Sequence, residues 1–197
     1  MLDAAVVAHV AVIEGDTEGE PQPYVLPTAY ARDGDRVLCH GSTASRLFRT
    51  LAAGAPTCLT VTVFDGFVLA RSSFESSMHY RSAMVLGRFA PVDDEGKEAA
   101  LRAMSERWLP GRWADARRPS AKELAATLVL AMPIEEWSVK VSDGPPEDAP
   151  EDLALRVWAG TLPVRTVAAA PVAAPDLTSP VAVPRYVTAW AAATRLP

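Results

Sequence analysis

The sequence predicts a mainly β fold in which antiparallel strands are joined in hairpins and short helices are inserted between them. Two observations lead to this prediction: short β-branched apolar runs recur along the chain, and turn sequences rich in Gly, Pro and Asp separate them. Long helices do not alternate with these runs, as they would in a doubly wound parallel sheet. We therefore expect a barrel or meander of about seven strands.

The composition is that of a folded protein of one domain. The chain has 197 residues, of which 49% are hydrophobic and 22% charged. No apolar run reaches the roughly 18 residues of a membrane span, and no basic stretch precedes the first apolar run as in a secretory signal. A cytoplasmic location is the expectation, and the excess of arginine over lysine suggests a bacterial source.

The charge balance bears on the partners that can be expected. The net charge of −5 disfavours a nucleic-acid binder, which needs a basic face to neutralise phosphates. A small anionic ligand remains compatible with this balance, because a few local donors can hold one phosphate.

The chain divides into predicted elements that follow apolar pattern and turn chemistry. Turns are predicted at 14–23, 33–35 and 65–66, and Pro27 needs a bulge or an unpaired position because it cannot donate to a ladder. Helices are predicted at 46–51, ended by Gly54, at 95–109, capped by Asp93 or Asp94, and at 121–126, begun by Ser120. Strands are predicted at 4–13, 24–30, 36–40, 58–64, 67–71, 82–92, 127–132, 137–141 and 157–164.

Beyond the last of these strands the composition changes. Residues 166–197 are rich in Ala, Val and Pro and carry little charge. We interpret residues 1–165 as the folded domain and 166–197 as an extension that packs on the body or on a partner subunit.

The cysteines and histidines do not predict a metal site. Cys39 and Cys58 lie in apolar strand-like runs, and buried thiols are favoured over a disulfide. The three histidines, His9, His40 and His79, are far apart in the sequence, and the CxxC and HExxH motifs are absent.

The segment 40–46, His-Gly-Ser-Thr-Ala-Ser-Arg, is the best local candidate for a ligand site. A strand ends there, hydroxyls cluster, and a helix begins at Arg46. Helix N-termini favour anions, and arginine adds a bidentate donor for phosphate. The alternative is that Ser42 or Ser45 only caps the helix.

A second polar cluster covers residues 72–82. A hydrolase triad of His79, Ser77 and Glu75 is disfavoured because no G-x-S-x-G motif accompanies it. A solvated loop with hydrogen-bonded turns is the simpler interpretation.

Six segments in order carry a resemblance to a known family. They are Pro-Tyr-Val-Leu-Pro-Thr at 23–28, the run 37–46, Ser-Met-His-Tyr-Arg-Ser at 77–82 with Gly87 behind it, Pro-Gly-Arg-Trp at 110–113, Ser-Val-Lys at 138–140, and Val-Trp-Ala-Gly at 157–160 with Pro163. From residue 5 to residue 163 the chain resembles the pyridoxamine 5′-phosphate oxidase-like, FMN-binding split-barrel superfamily. It is most similar to the flavin-nucleotide-binding branch that includes nitroimidazole-reductase-like proteins.

The resemblance implies a fold and a set of site residues. The fold is a six-stranded antiparallel split barrel that forms a homodimer, with FMN at the subunit interface. Residues at the flavin ring, the ribityl chain and the phosphate would be Val25, Leu26, Pro27, Thr28, His40, Gly41, Ser42, Ser45 and Arg46. Ser82 matches a strand position that contacts flavin, and Trp158 matches a tryptophan that reaches the cofactor from the partner subunit.

The resemblance implies two classes of function. The first is a flavin-dependent oxidoreductase that passes electrons from a reduced nicotinamide to a small acceptor, with His40, His79 and Tyr80 as candidate proton donors. The second is a carrier, sensor or detoxification adaptor that binds flavin, deazaflavin or haem without turnover. Oxidation of pyridoxamine 5′-phosphate itself is not expected, because the strand 25–28 has no basic residue for the substrate phosphate.

Overall fold

A curled antiparallel sheet forms the body of the protein, as expected from the sequence. The computed structural model describes residues 1–14, 20–193 and 195–196. The main strands are β1 (Val7–Glu14), β2 (Gln22–Asp33), β3 (Arg36–Ser42), β4 (Pro56–Leu69), β5 (Ser77–Arg88), β6 (Ala90–Pro91), β7 (Thr127–Pro133), β8 (Glu136–Ser142) and β9 (Gly160–Pro163). The sheet order is β6-β7-β3-β2-β1-β4-β5-β8, and β9 pairs with β4.

Helices lie between the strands. They are α1 (Arg46–Ala52), α2 (Asp94–Trp108), α3 (Arg112–Asp115), α4 (Ala121–Ala125) and α5 (Arg185–Ala193). The short pair β10 (Thr166–Val167) and β11 (Arg195–Leu196) joins the two ends of the extension. The helices of the described residues are too short or too polar to cross a bilayer.

Helix boundaries follow the caps predicted from the sequence. The Asp93 carboxylate accepts a hydrogen bond from the Gly96 amide at 2.7 Å and begins α2. Ser120 and Glu123 form a capping box at α4. Gly34, with a φ of 58°, turns the hairpin between β2 and β3.

Two hydrophobic clusters occupy opposite faces of the sheet at β3. Val37 and Cys39 face the interior of the curled sheet with Phe48 of α1. Leu38 faces α2 and packs with Ala100 and Met104. Because side chains alternate along a strand, each residue of β3 is assigned to one of these two sides.

The mainly β split-barrel class is confirmed, but the main sheet has nine strands, more than the six implied by the resemblance and the seven or so expected from the pattern. The predicted turn at 65–66 is wrong, since β4 runs through it with a bulge between Phe64 and Gly66. Gly66 has a φ of 153°, and a Cβ there would lie 2.5 Å from the Leu162 carbonyl oxygen of β9. Gly66 therefore allows β9 to approach β4 closely and does not reverse the direction of the chain.

Other boundaries differ from the sequence prediction at the ends of elements. The first strand begins at Val7, after a single 3₁₀ turn at Leu2–Ala4. The fifth begins at Ser77, where a loop was expected, and the last strand shortens to Gly160–Pro163. The predicted extended tail contains the unpredicted helix α5, and the predicted turn at 14–23 lies largely outside the described residues.

Pro27 lies within β2 without a bulge. Pro27 lies opposite His9 without a shift in register, on a part of β2 that has a neighbouring strand on one side only. Its missing amide can therefore face the unpaired side, as predicted.

Both cysteines are free thiols: Cys39 is buried, whereas Cys58 is only partly buried.

We expect Gly66→Ala to lower the free energy of unfolding by about 1–3 kcal/mol, because the new methyl group meets the β9 backbone at an unfavourable φ. Urea denaturation of the two proteins measures the difference. The control is Gly34→Ala, which also has positive φ but has no heavy atom within 4 Å of an added Cβ. A loss at Gly66 no larger than the loss at Gly34 would contradict the packing explanation.

Candidate functional site

The site is organised by the point at which β2 and β3 separate. The two strands pair only from Tyr30 opposite Cys39 to Asp33 opposite Arg36. Beyond Tyr30, β2 continues alongside β1, and β3 continues alongside β7. The indole Nε1 of Trp108 donates a hydrogen bond to the Tyr30 carbonyl oxygen at 2.7 Å, at the last paired position.

The separation leaves an open backbone edge on β2. Residues 22–29 pair with β1 on one side and with no described strand on the other. Val25, Leu26 and Pro27 are exposed along this edge, whereas Thr28 is buried and its hydroxyl donates to the Leu26 carbonyl. Unpaired N–H and C=O groups on such an edge can bind the polar edge of a planar ligand.

The polar residues of segment 41–46 mostly bond to their own backbone. The Ser42 hydroxyl accepts from the Ala44 amide at 3.1 Å, and the Ser45 hydroxyl accepts from the Phe48 amide at 3.5 Å. Ser45 thus caps α1, which is one of the two interpretations predicted. Gly41 is required by packing, because a Cβ there would lie 2.4 Å from the Phe48 ring.

Arg46 stands beside the open edge. Its guanidinium lies 5.3 Å from the centre of the Tyr24 ring, which belongs to β2. The Tyr24 hydroxyl is buried and is without a hydrogen-bond partner among the described residues. The structure therefore brings the predicted residues Val25–Thr28 and Arg46 to neighbouring parts of one surface.

His40 faces the opposite side of β3. It lies two residues after Leu38, so its side chain points toward α2, while Gly41 faces α1. There it lines a cavity of about 580 Å³ whose walls include Leu101, Ser105, Arg112, Trp113 and Leu124. This volume is within the range of small-molecule and cofactor sites.

The environment of His40 favours a neutral imidazole. Its Nδ1 is buried and has no hydrogen-bond partner within the described chain. Its ring lies 5.9 Å from the Trp108 ring, and burial lowers the pKa of His40 below the ordinary 6.5. A neutral imidazole in a cavity can accept a proton or bind a metal ion.

The two arginines that line the cavity, Arg112 and Arg117, differ in how closely each pairs with a carboxylate. Arg117 makes two short contacts with Glu123, at 2.6 and 2.8 Å, which hold the pKa of that carboxyl well below its usual range. Arg112 has a looser ion pair with Asp115, at 3.6 Å. Arg112 is therefore the cation of the cavity with the weaker internal partner.

Trp113 adds an aromatic wall with a polar group. The Arg118 guanidinium lies 4.8 Å from the centre of its ring, and its indole Nε1 is buried without a hydrogen-bond partner in the residues described. Because a buried indole N–H usually has a hydrogen-bond acceptor, Trp113 suits a ligand that carries an acceptor group.

Ser82 and Trp158 lie away from both features within one chain. Ser82 of β5 pairs with Thr62 of β4 and with Lys140 of β8, and two strands, β1 and β4, lie between β5 and β2 in the sheet order. Trp158 is 67% exposed and rests near Gly160, which pairs with Leu69 at the far end of β4. A single subunit therefore does not unite all the predicted site residues.

The other candidate proton donors lie near the β4 bulge. His79 is opposite Gly66, and Tyr80 has the Lys140 ammonium 4.8 Å from its ring centre. Neither lines the His40 cavity. No three His, Cys, Asp or Glu side chains of the described ranges converge as a metal-ion site would require.

The sequence interpretation missed the residues that build the cavity with His40. Trp108 lies in the helix predicted at 95–109 but was not singled out, and Arg112 and Trp113 were expected only as part of a segment typical of the family. A signal was present, since a Pro-Gly-Arg-Trp segment concentrates turn, charge and aromatic residues after a helix. Nothing in the sequence shows, however, that this segment meets His40.

We expect the protein to lose stability as the pH falls from 7 to 5, in part through His40. Because its folded pKa is lowered, the unfolded chain binds the proton first, and stability is lost below the unfolded value of about 6.5. His40→Gln should flatten this part of the profile of melting temperature against pH. Since His9 is exposed on β1, His9→Gln is the control, and equal slopes in the two variants would contradict the prediction.

Comparison with known proteins identifies the family. Residues 1–141 match the family model described as pyridoxamine 5′-phosphate oxidase. A comparison with curated proteins gives no match.

Solved structures agree with this match. A FAD and haem binding protein from Mycobacterium smegmatis is 44% identical, with a TM-score of 0.90 over 95% of this chain and 90% of that one. A flavocytochrome from Azotobacter vinelandii is 40% identical, with a TM-score of 0.86 over 95% of this chain and 86% of that one.

A more distant structure has the same fold. It is a putative 5-nitroimidazole antibiotic resistance protein from Bacteroides thetaiotaomicron, which is 23% identical, with a TM-score of 0.54 over 68% of this chain and 76% of that one. The family match, over residues 1–141, covers both the β2 edge and the residues that line the His40 cavity. This chain therefore belongs to the pyridoxamine 5′-phosphate oxidase family of split-barrel proteins.

Proposed function

We propose that this protein binds a flavin nucleotide and haem at two separate sites and transfers electrons as an oxidoreductase. The observation that carries the proposal is the His40 cavity, a site of about 580 Å³ lined by a half-buried imidazole whose Nδ1 has no hydrogen-bond partner among the described residues. Two relatives of 44% and 40% identity are described as a FAD and haem binding protein and as a flavocytochrome.

The residues of the cavity fit a haem group. Haem is a flat apolar ring with a central iron and two carboxylates at one edge. Leu101, Leu124 and Trp113 supply apolar walls, and His40 supplies an imidazole whose lowered pKa keeps it neutral. Arg112 supplies a cation for a carboxylate.

Each of these residues has a definite role in the proposal. His40 would bind the iron, and Trp108, whose ring centre lies 5.9 Å from that of His40, would hold the imidazole in place. The apolar walls would limit the access of water to the iron, which tunes its potential. Haem supplies one-electron chemistry when bound.

The open edge of β2 is the proposed flavin site. Backbone groups of Val25–Thr28 would contact the polar edge of the flavin ring, and Arg46 would bind the phosphate. His40, predicted as a flavin contact, is instead assigned to haem because it faces α2. The sequence predicts FMN, whereas the Mycobacterium relative is described with FAD, and the ring and first phosphate are common to both.

The proposed reaction takes electrons from a reduced nicotinamide to a small acceptor. The alternative is a flavin- or haem-binding protein without turnover, and the same two sites would serve it. Bleaching of the flavin absorbance by NADH or NADPH supports the oxidoreductase, and a protein that is inert to both supports the alternative.

A homodimer with flavin at the subunit interface is part of the proposal. The outer face of β1 and β2 is apolar yet exposed at Val7, Ile13 and Val25, the composition expected of a surface that a second subunit covers. In the proposal, a second subunit also brings Ser82 and Trp158 to the flavin. The cytoplasmic location stays a prediction.

Spectroscopy of the purified protein tests the proposal. We expect a flavin absorbance band, and chromatography of the released cofactor identifies it as FMN or FAD. On titration with hemin, we expect a Soret band. His40→Ala should weaken hemin binding on the order of tenfold or more and leave flavin binding unchanged. The control is His79→Ala, and a wild-type protein without a Soret band, or His40→Ala with unchanged hemin affinity, would contradict the haem site.

The phosphate contact is tested by Arg46→Ala. Loss of a charge-assisted hydrogen bond should weaken flavin binding by roughly ten- to a hundredfold. Arg49→Ala, one turn further along the exposed side of α1, is the matched control. Equal effects of the two substitutions in a fluorescence titration would place the phosphate elsewhere.

We expect no meaningful oxidation of pyridoxamine 5′-phosphate. A second phosphate needs its own basic pocket, but Arg81 is held by Asp65 in two contacts of 2.8 Å, and Lys140 lies over Tyr80. The assay follows pyridoxal 5′-phosphate formation by the flavin-loaded protein in air. Turnover on the order of 1 per second would show a pocket that these residues do not explain.

A further inference from the structure

The C-terminal extension returns to the body of the protein through α5. The less exposed residues of α5 are Tyr186, Val187, Trp190 and Ala191, which lie on one face of the helix. Tyr186 contacts α3, where its ring meets Gly111 closely: a Cβ on that glycine would lie 3.2 Å from the ring. The helix therefore packs against the segment that carries Arg112 and Trp113.

α3 is fixed from two sides. The Glu106 carboxylate of α2 accepts hydrogen bonds from the Gly111 amide at 2.8 Å and the Trp113 amide at 3.2 Å. On the other side, the Tyr186 hydroxyl donates to the Asp115 carboxylate at 2.6 Å. A helix of four residues has little stability of its own, so these contacts set its position.

The Tyr186 hydroxyl also changes how Arg112 is paired. It accepts a hydrogen bond from Arg112 Nη1 at 3.4 Å, while Arg112 and Asp115 remain 3.6 Å apart. By comparison, Arg117 and Glu123 approach to 2.6 Å, although Glu123 also accepts hydrogen bonds from the Ser120 amide and hydroxyl at 2.8 and 3.0 Å. The Tyr186 hydroxyl therefore connects the two members of the looser pair, because it accepts from Arg112 and donates to Asp115.

We propose that Tyr186 is a positioning residue that holds Arg112 toward the His40 cavity, so that α5 completes the site for the carboxylate edge of its ligand. This inference rests on the proposed haem site. It assigns the extension a part in ligand binding beyond covering the body. Tyr186 should therefore affect ligand binding only through Arg112, and only for a ligand that has free carboxylates.

Hemin and hemin dimethyl ester, which lacks free carboxylates, are the probes for this role. Tyr186→Phe keeps the ring against Gly111 and removes only the hydroxyl. It should weaken hemin binding by about three- to tenfold and leave binding of the dimethyl ester unchanged. Thr188→Val removes a hydroxyl of the same helix that bonds only to Arg185 within α5, and it should change neither affinity.

A double-mutant cycle with Arg112→Ala completes the test. Arg112→Ala should weaken hemin binding, and adding Tyr186→Phe should cause little further loss. Equal losses with hemin and its dimethyl ester, additive losses in the cycle, or an unchanged hemin affinity in Tyr186→Phe would each overturn the inference. Failure of the wild-type protein to bind either probe would instead overturn the proposed haem site and the inference with it.

Discussion

The hydrogen bond from Trp108 to the Tyr30 carbonyl marks the point on which the two candidate sites depend. It occupies the last paired position of the β2–β3 ladder, after which the strands take different neighbours. A longer ladder would close the edge of β2 with hydrogen bonds to β3. Because the strands separate, β2 keeps an open edge, and the end of β3 carries side chains to two different surroundings.

This separation explains how one short strand serves two sites. Gly41 faces α1, where Phe48 leaves no room for a larger side chain, and His40 faces α2 beside Trp108. The same indole thus lies beside the imidazole and donates a hydrogen bond to the last paired residue of β2. In the proposed function, the flavin and the haem lie on opposite sides of β3, which separates them without a second domain.

Local features of the sequence predicted much of the fold, because caps, hairpin turns and apolar alternation act within a few residues. Asp93, Ser120 and Gly34 stand where the structure uses them. The turn at Asp65–Gly66 was wrong because the same dipeptide suits a bulge when a third strand approaches. The cavity was missed for a related reason: His40 and Trp113 line it together, and Tyr186 packs on Gly111, only through tertiary packing, which no spacing in the sequence encodes.

Crystallographic location of iron in the protein reconstituted with flavin and hemin tests the central claim most directly. Anomalous diffraction at the iron absorption edge identifies the metal independently of any interpretation of the ring density. The account predicts one iron peak per chain within coordination distance of a His40 ring nitrogen, with the flavin along the Val25–Thr28 edge. Iron bound by another residue, with the His40 imidazole unliganded, would contradict it.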